Sequence, residues 1–205
     1  LEAGWALDVD ANGFICNIFR IEDCPTPPTH LPGVLSPGMV NAHCHLELSH
    51  LAGKYPGGEG MAGFINRVIL DRDGGTTPTQ REVAARKAIA DANATGTVAF
   101  GDIANTPDSL PAKREWASRV YTHTLIEVFG RDGSPDHLAA HQAQAQALAT
   151  ECAASQLAHS IVAHAPYSMS PELFQWIHHV AAAVPTAPLS FHLLESEDEV
   201  RFFTE

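Results

Sequence analysis

After residue 38 one unit recurs: a short apolar run ends in a polar or histidine-bearing loop, and a helical pattern follows. The strand candidates are Met39–Ala42, Thr97–Phe100, Val120–Val128, Ser160–Ala163 and Leu189–Phe191. The helices between them carry their own start signals. Thr79 and Glu82 fit a capping box for a helix running to about Ala94, with Gly96 just beyond. Residues 136–154 are rich in Ala and Gln and favour helix. Ser170 precedes Pro171 and the apolar stripe Leu173, Phe174 and Ile177, and Ser196 with Glu199 opens one more helix. Strands alternating with helices imply parallel strands joined by crossovers. An open doubly wound sheet and a closed (β/α)8 barrel both satisfy that pattern. A full barrel takes about 250 residues. Five βα units in a chain of 205 residues would therefore form an incomplete one.

The first 30 residues read differently. WALDVDANGFICNIFRIED holds the turn-forming Asn12-Gly13 between two half-apolar stretches, the pattern of short paired strands. Residues 25–38, PTPPTHLPGVLSPG, contain five prolines and two glycines, so no regular element spans them. They mark a passage from a small β unit, residues 1–30, into a larger domain, residues 31–205. The chain carries 24 acidic and 12 basic residues, a net charge of −12. That balance disfavours a nucleic-acid polymer, which needs Lys and Arg for its phosphates, and an anionic membrane surface. Four irregularly spaced cysteines argue against a disulfide scaffold. No leader pattern and no 18-residue apolar run occurs, so cytoplasm is the expected location.

Three of the strand ends carry histidine. In VNAHCHLELSH, residues 40–50, His43 and His45 are separated by one residue and would share a side of a strand. Two neutral imidazoles there can take one divalent metal, since catalytic zinc commonly uses three protein ligands and leaves a place for water. The competing reading packs His43 in a core and bonds His45 to a carbonyl. In SFHLLESEDEV, residues 190–200, His192 ends another apolar run and Glu195 follows three residues later. That histidine can reach a shared metal, and the carboxylate its water. In IVAHAPYSMSPEL, residues 161–173, His164 ends the fourth strand candidate. All strand C-termini of a parallel α/β fold gather on one face, where active sites form. The glycine-bearing stretch 45–68 reads as a long loop. Its Glu47, Ser49 and His50 are candidate substrate contacts, or simply hold the loop.

These motifs together resemble the amidohydrolase superfamily, and within it the aminohydrolase branch that deaminates adenosine-, cytosine- and guanine-like compounds and includes chlorohydrolases. LSPGMVNAHCHLELSH is similar to the opening strand with its His-x-His. GTVAFGDIAN matches the second strand, VAHAPYSMSPEL the fourth, and SFHLLESEDEV the fifth with His-x-x-Glu. The matches run in family order from about residue 31 to the end. The resemblance implies a (β/α)8 TIM-like barrel with a small β-sandwich domain, of which residues 1–30 would be the N-terminal share. It implies that His43, His45 and His192 ligate one divalent metal, zinc or iron, that Glu195 shuttles a proton, and that His164 contacts substrate. A histidine after strand six and an aspartate after strand eight would lie beyond Glu205, and Asp102 comes too early to be that aspartate.

The implied activity is hydrolysis of a non-peptide C–N bond, foremost deamination of an aminopurine-like heterocycle. The implied partners are a small heterocyclic substrate and a second copy of the chain in a homodimer. Cyclic-amide opening and dechlorination on the same scaffold are the alternatives within the family, and a non-catalytic metal-binding α/β protein is the alternative outside it. A paired-metal cyclic amidohydrolase often uses a carboxylated lysine after strand four. His164 stands there, and no lysine follows Arg119.

Overall fold

The computed structural model describes residues 4–55, 57–58 and 60–205, without the side chains of residues 61 and 62. Residues 1–3, the start of the expected N-terminal β unit, lie outside the described residues. The chain divides into two compact units, Leu1–Gly38 and Met39–Glu205.

The first unit is a hairpin. β1 (Trp5–Val9) pairs antiparallel with β2 (Ile15–Arg20), with a register shift between Asp8 and Val9. The connection turns at Gly13, whose φ of +87° suits a residue without Cβ. Asp10 Oδ1 steadies it, accepting from the backbone N–H of Asn12 at 2.8 Å and of Phe14 at 2.9 Å. No described residue in this unit is buried, and Phe14, Ile15 and Ile18 are exposed. A lone two-stranded hairpin is marginal in water.

The second unit holds four parallel strands in the order β3 (Met39–Cys44), β4 (Thr97–Ala104), β5 (Tyr121–Val128), β6 (Ala158–Ala163). Helices α1 (Gly60–Leu70) and α2 (Pro78–Ala94) connect β3 to β4, and α3 (Leu110–Trp116) and α4 (Pro135–Ala154) follow β4 and β5. α5 (Pro171–Ala182) and α6 (Glu197–Thr204) follow β6. This is a partial (β/α)8 barrel, as the strand–helix alternation and the family resemblance led one to expect. Among the described residues no helix is long and apolar enough to cross a membrane.

Three local expectations change. The cap of α2 is Thr77 with Gln80, not Thr79 with Glu82. Pro78 has no N–H to lose and a φ suited to the first helical position, so the residue before it must cap. Thr77 Oγ1 accepts from Gln80 N–H at 3.3 Å, and Thr77 N–H donates to Gln80 Oε1 at 2.8 Å. The stretch 45–68 is not one loop, because a 3-10 turn fills Leu46–Leu51 and α1 begins at Gly60. The fifth strand candidate, Leu189–Phe191, joins no ladder. Ser160 Oγ donates to Pro188 O at 2.7 Å and His192 N–H to His164 O at 2.7 Å, and Pro188 itself has no N–H to give.

Packing separates the two faces of the sheet. On the outer face Ile126, Val128, Ile161 and Ala163 pack with Leu148 and Cys152 of α4 and Leu173 and Ile177 of α5. Phe100 packs outward with Ala85 and Ile89 of α2 and Ala112 of α3. Ile103, Leu125 and Val162 form a separate apolar layer on the inner face. At the sheet's edge β3 lies so close to β4 that a Cβ on Gly101 would collide with the Ala42 carbonyl. Gly101→Ala is expected to destabilise the fold by about 1–3 kcal/mol through forced backbone displacement, read as a lower urea midpoint with unchanged slope.

Candidate metal centre

Strand alternation sets what faces inward. On β5 the inner positions are His123, Leu125 and Glu127, and on β6 they are Ser160 and Val162, with His164 next in the alternation just past the strand's end. The lowest layer is polar: His123 Nε2–H donates to Ser160 Oγ at 3.0 Å, since that hydroxyl gives its own proton to Pro188 O. The apolar layer follows, and Glu127 and His164 open the layer above it. On β3, Cys44 packs with the outer cluster, which leaves His43 and His45 to the inner side. Burial, then the Asp102 charge, pushes the Cys44 thiol up to about 12, so it stays protonated and serves packing.

Four imidazoles meet there. Ring centroids are 5.4 Å apart for His43–His45, 4.9 Å for His43–His192 and 5.1 Å for His164–His192. Imidazoles sharing one tetrahedral ion at ~2.0–2.1 Å stand with ring centres roughly 5 Å apart. Burial lowers the pKa of His43, His45 and His164, His45 to about 4, with neighbouring imidazoles adding to the effect. All three are therefore neutral at neutral pH, the form that binds metal.

The partners of two rings fix which nitrogen carries the proton. His192 Nδ1–H donates to Glu195 Oε1 at 2.6 Å, leaving Nε2 with its lone pair. Leu194, between them, has φ +54°, a strained conformation for a bulky residue, which folds the chain so that the carboxylate meets the ring. Ser168 Oγ donates to Ala165 O at 2.8 Å and so accepts from His164 Nδ1–H at 2.7 Å. His164 Nε2 is likewise a free lone pair.

Glu127 is the residue that sequence reasoning missed. It is 8% exposed, and its Oε1 lies 3.8 Å from His192 Nε2. Ligand atoms of Glu127, His164 and His192 all lie within 4.8 Å of one another. Burial lifts its carboxyl to about 7 against the opposing pull of His192. The available signal was an acidic residue at the C-terminal end of an otherwise apolar strand candidate.

The amidohydrolase family model matches residues 34–204. The chain belongs to the amidohydrolase family. A 5-methylthioadenosine/S-adenosylhomocysteine deaminase from Halobacterium salinarum is 25% identical over 170 residues, 82% of this chain and 39% of that protein. Among solved structures, an aminofutalosine deaminase from Helicobacter pylori, in complex with methylthio-coformycin, superposes with a TM-score of 0.76 at 23% identity. It covers 97% of this amidohydrolase chain and 48% of its own. An adenosine deaminase from Xanthomonas campestris with bound zinc gives a TM-score of 0.65 at 18% identity, over 81% of this chain and 38% of its own. The chain thus spans half or less of the length of these relatives.

The donor types present fit the divalent metal implied by the family; among the described residues the three ligand atoms that come within 4.8 Å of one another belong to Glu127, His164 and His192 rather than to the expected His43, His45 and His192. A buried ring nitrogen of His45, Nδ1, has no hydrogen-bond partner among the described residues. The His192–Glu195 bond is the carboxylate support that metal-ligating histidines commonly have.

The expected substrate contacts near β3 are differently placed. Glu47 is buried, paired with Arg72 through Oε1. Its Oε2 accepts from Asn105 N–H at 3.0 Å, Thr106 N–H at 2.8 Å and Thr106 Oγ1–H at 2.7 Å. His50 places Nδ1 3.0 Å from Glu47 O and Nε2 2.8 Å from Arg72 O. Both side chains are committed to holding the turn after β3. Ser49 is half-buried, and its side chain makes no hydrogen bond to the described residues.

A buried ion pair supports the same turn. Asp102 accepts from Leu46 N–H at 2.8 Å, and its other oxygen takes Lys113 Nζ at 2.5 Å and Ser109 Oγ at 3.2 Å. Lys113 Nζ also donates to Thr124 Oγ1 at 2.8 Å, and neither charged side chain reaches solvent. Lys113→Met should cost about 3–5 kcal/mol, because Asp102 would remain buried without its cation; thermal or urea unfolding measures this. A second expectation concerns the metal-free protein. Glu127 holds its proton more tightly folded than unfolded, so its contribution to stability falls as pH rises from about 4.5 to about 7. Glu127→Gln should remove up to about 3 kcal/mol of that fall, seen by comparing unfolding free energies at pH 4.5 and 7.5.

Proposed function

We propose that the full-length protein is a mononuclear metal-dependent aminohydrolase that removes the amino group from an aminopurine-like heterocycle, with zinc as the favoured ion. The carrying observation is that the His43 ring lies 5.4 Å from that of His45 and 4.9 Å from that of His192, with Glu195 bonded to His192 at 2.6 Å. The three histidines hold the ion. When bound, it supplies activation of water near neutral pH. Glu195, kept in place by His192 Nδ1–H, moves a proton to the ring nitrogen beside the carbon under attack. His164 faces the substrate through Nε2. Phe129 and Tyr167 flank it with centroids at 5.9 Å each, offering aromatic surface to a planar ring. Ser49 remains a candidate contact.

The similarity to a 5-methylthioadenosine/S-adenosylhomocysteine deaminase, an aminofutalosine deaminase and an adenosine deaminase supports this class, and the zinc in the Xanthomonas campestris structure supports the ion. The paired-metal alternative lacks its lysine: His164 occupies that strand end, and Lys113 is committed to Asp102.

Elemental analysis of the full-length gene product tests the reading, comparing wild type with His43→Ala and His192→Ala. About one equivalent of zinc or iron should be present in wild type and lost from both folded variants. Wild type should then release ammonia from purines, pterins or nucleosides. A folded wild type that takes up neither metal would sink the mechanism.

A further inference from the structure

The proposed roles leave one group without a task. Among the described residues no donor lies within hydrogen-bond distance of the Glu127 carboxylate; His192 Nε2 is 3.8 Å from its Oε1. Glu127 is 8% exposed, so little water satisfies its oxygens and they are free to accept from a donor that enters. Ser168 and Glu195 take the Nδ1 protons of His164 and His192, so both rings turn an Nε2 lone pair toward Glu127. The Glu127 oxygen and the two ring nitrogens thus lie within 4.8 Å of one another and face the same space.

An ion held by His43, His45 and His192 uses the His192 lone pair. Glu127 and His164 Nε2 then remain as a pair of acceptors on the inner ends of adjacent strands β5 and β6, paired through Glu127↔Val162 and Val128↔Ala163. We propose that this pair is a substrate-recognition subsite that accepts hydrogen bonds from an N–H or O–H group of the substrate. The inference rests on the proposed heterocycle deamination and adds a requirement to it. The substrate must carry a donor group besides the amino group that leaves, which disfavours rings bearing only chloro, alkoxy or alkyl substituents. Glu127 is a binding residue in this account; it neither holds the ion nor moves the proton.

Deaminated products test the subsite without turnover. Calorimetry on the metal-loaded full-length protein would measure binding of hypoxanthine, inosine and 2′,3′-dideoxyinosine to wild type, Glu127→Gln and Glu127→Asp, with metal content determined for each. Glu127→Gln should keep its metal and bind inosine about tenfold to a hundredfold more weakly, the usual loss for a hydrogen bond to a charged group. Glu127→Asp, which keeps the charge on a shorter stem, should fall between. A loss shared by hypoxanthine assigns the donor to the ring, whereas a loss confined to inosine assigns it to the vicinal hydroxyls.

Three results would overturn the subsite: unchanged affinities in Glu127→Gln, loss of metal from Glu127→Gln with retention in Glu127→Asp, or no binding of any probe to wild type. The first would leave the carboxylate without a ligand role, and the second would make Glu127 a metal ligand. Ammonia release by wild type is scored separately. Metal-loaded protein that binds inosine through Glu127 but deaminates nothing defeats the proposed reaction and leaves the subsite standing. Protein that deaminates heterocycles with unchanged Glu127→Gln binding does the reverse.

Discussion

The histidine pair stands where it does because of one buried carboxylate. Asp102 reaches from β4 to the backbone N–H of Leu46, the residue after His45, and fixes the point where the chain leaves β3. The charge can be buried only because Lys113 rises from α3 to meet it and shares itself with Thr124 of β5. Such a pair adds little net stability, since desolvation offsets most of the attraction. Its value here is geometric: it ties together β3, β4, β5 and α3. Glu47 performs a parallel service one turn later, drawing Arg72, Asn105 and Thr106 onto the same turn.

Above this support the inner end of the sheet is dominated by acceptors. His164 and His192 are each oriented through Nδ1 by an oxygen outside the cluster, and each aims Nε2 inward. Burial keeps His43, His45 and His164 neutral and raises the Glu127 carboxyl. These shifts share a cause: desolvation disfavours charge on an imidazole and on a carboxylate alike. A cluster of ring nitrogens with free lone pairs beside a carboxyl group suits a cation or a proton donor. The proposed ion and the proposed donor-bearing substrate supply one each. The hairpin of the first unit exposes Phe14, Ile15 and Ile18, and none of its described residues is buried.

How far the chain can be read without coordinates varies by residue. His43 and His45 were legible because alternate strand positions share a face, and His164 and His192 because each ends an apolar run. Glu195 was legible from its spacing to His192, although the left-handed turn at Leu194 that brings it back was not. Glu127 stood at the end of a correctly anticipated strand. Nothing local distinguished it from a solvated acid, because its burial depends on neighbours at residues 164 and 192. Glu47 and His50 were read as groups able to face a ligand. Their partners, Arg72, Asn105 and Thr106, lie 22 to 59 residues along the chain, and only folding brings them close. The α2 cap moved by two residues because Pro78 dictates what precedes it, a local rule that outranked the Thr79–Glu82 match.

By itself the sequence determined the four parallel strands, the helices α2, α4, α5 and α6, the face on which strand ends gather, and the histidines delivered there. Those features follow from periodicity and from near-neighbour chemistry, which a linear chain carries intact. Tertiary structure alone decided which acids are buried, which ring nitrogens keep their lone pairs, and which side chains spend their hydrogen bonds on one another. Those outcomes depend on desolvation and on partners distant in sequence, and neither exists until the strands are side by side.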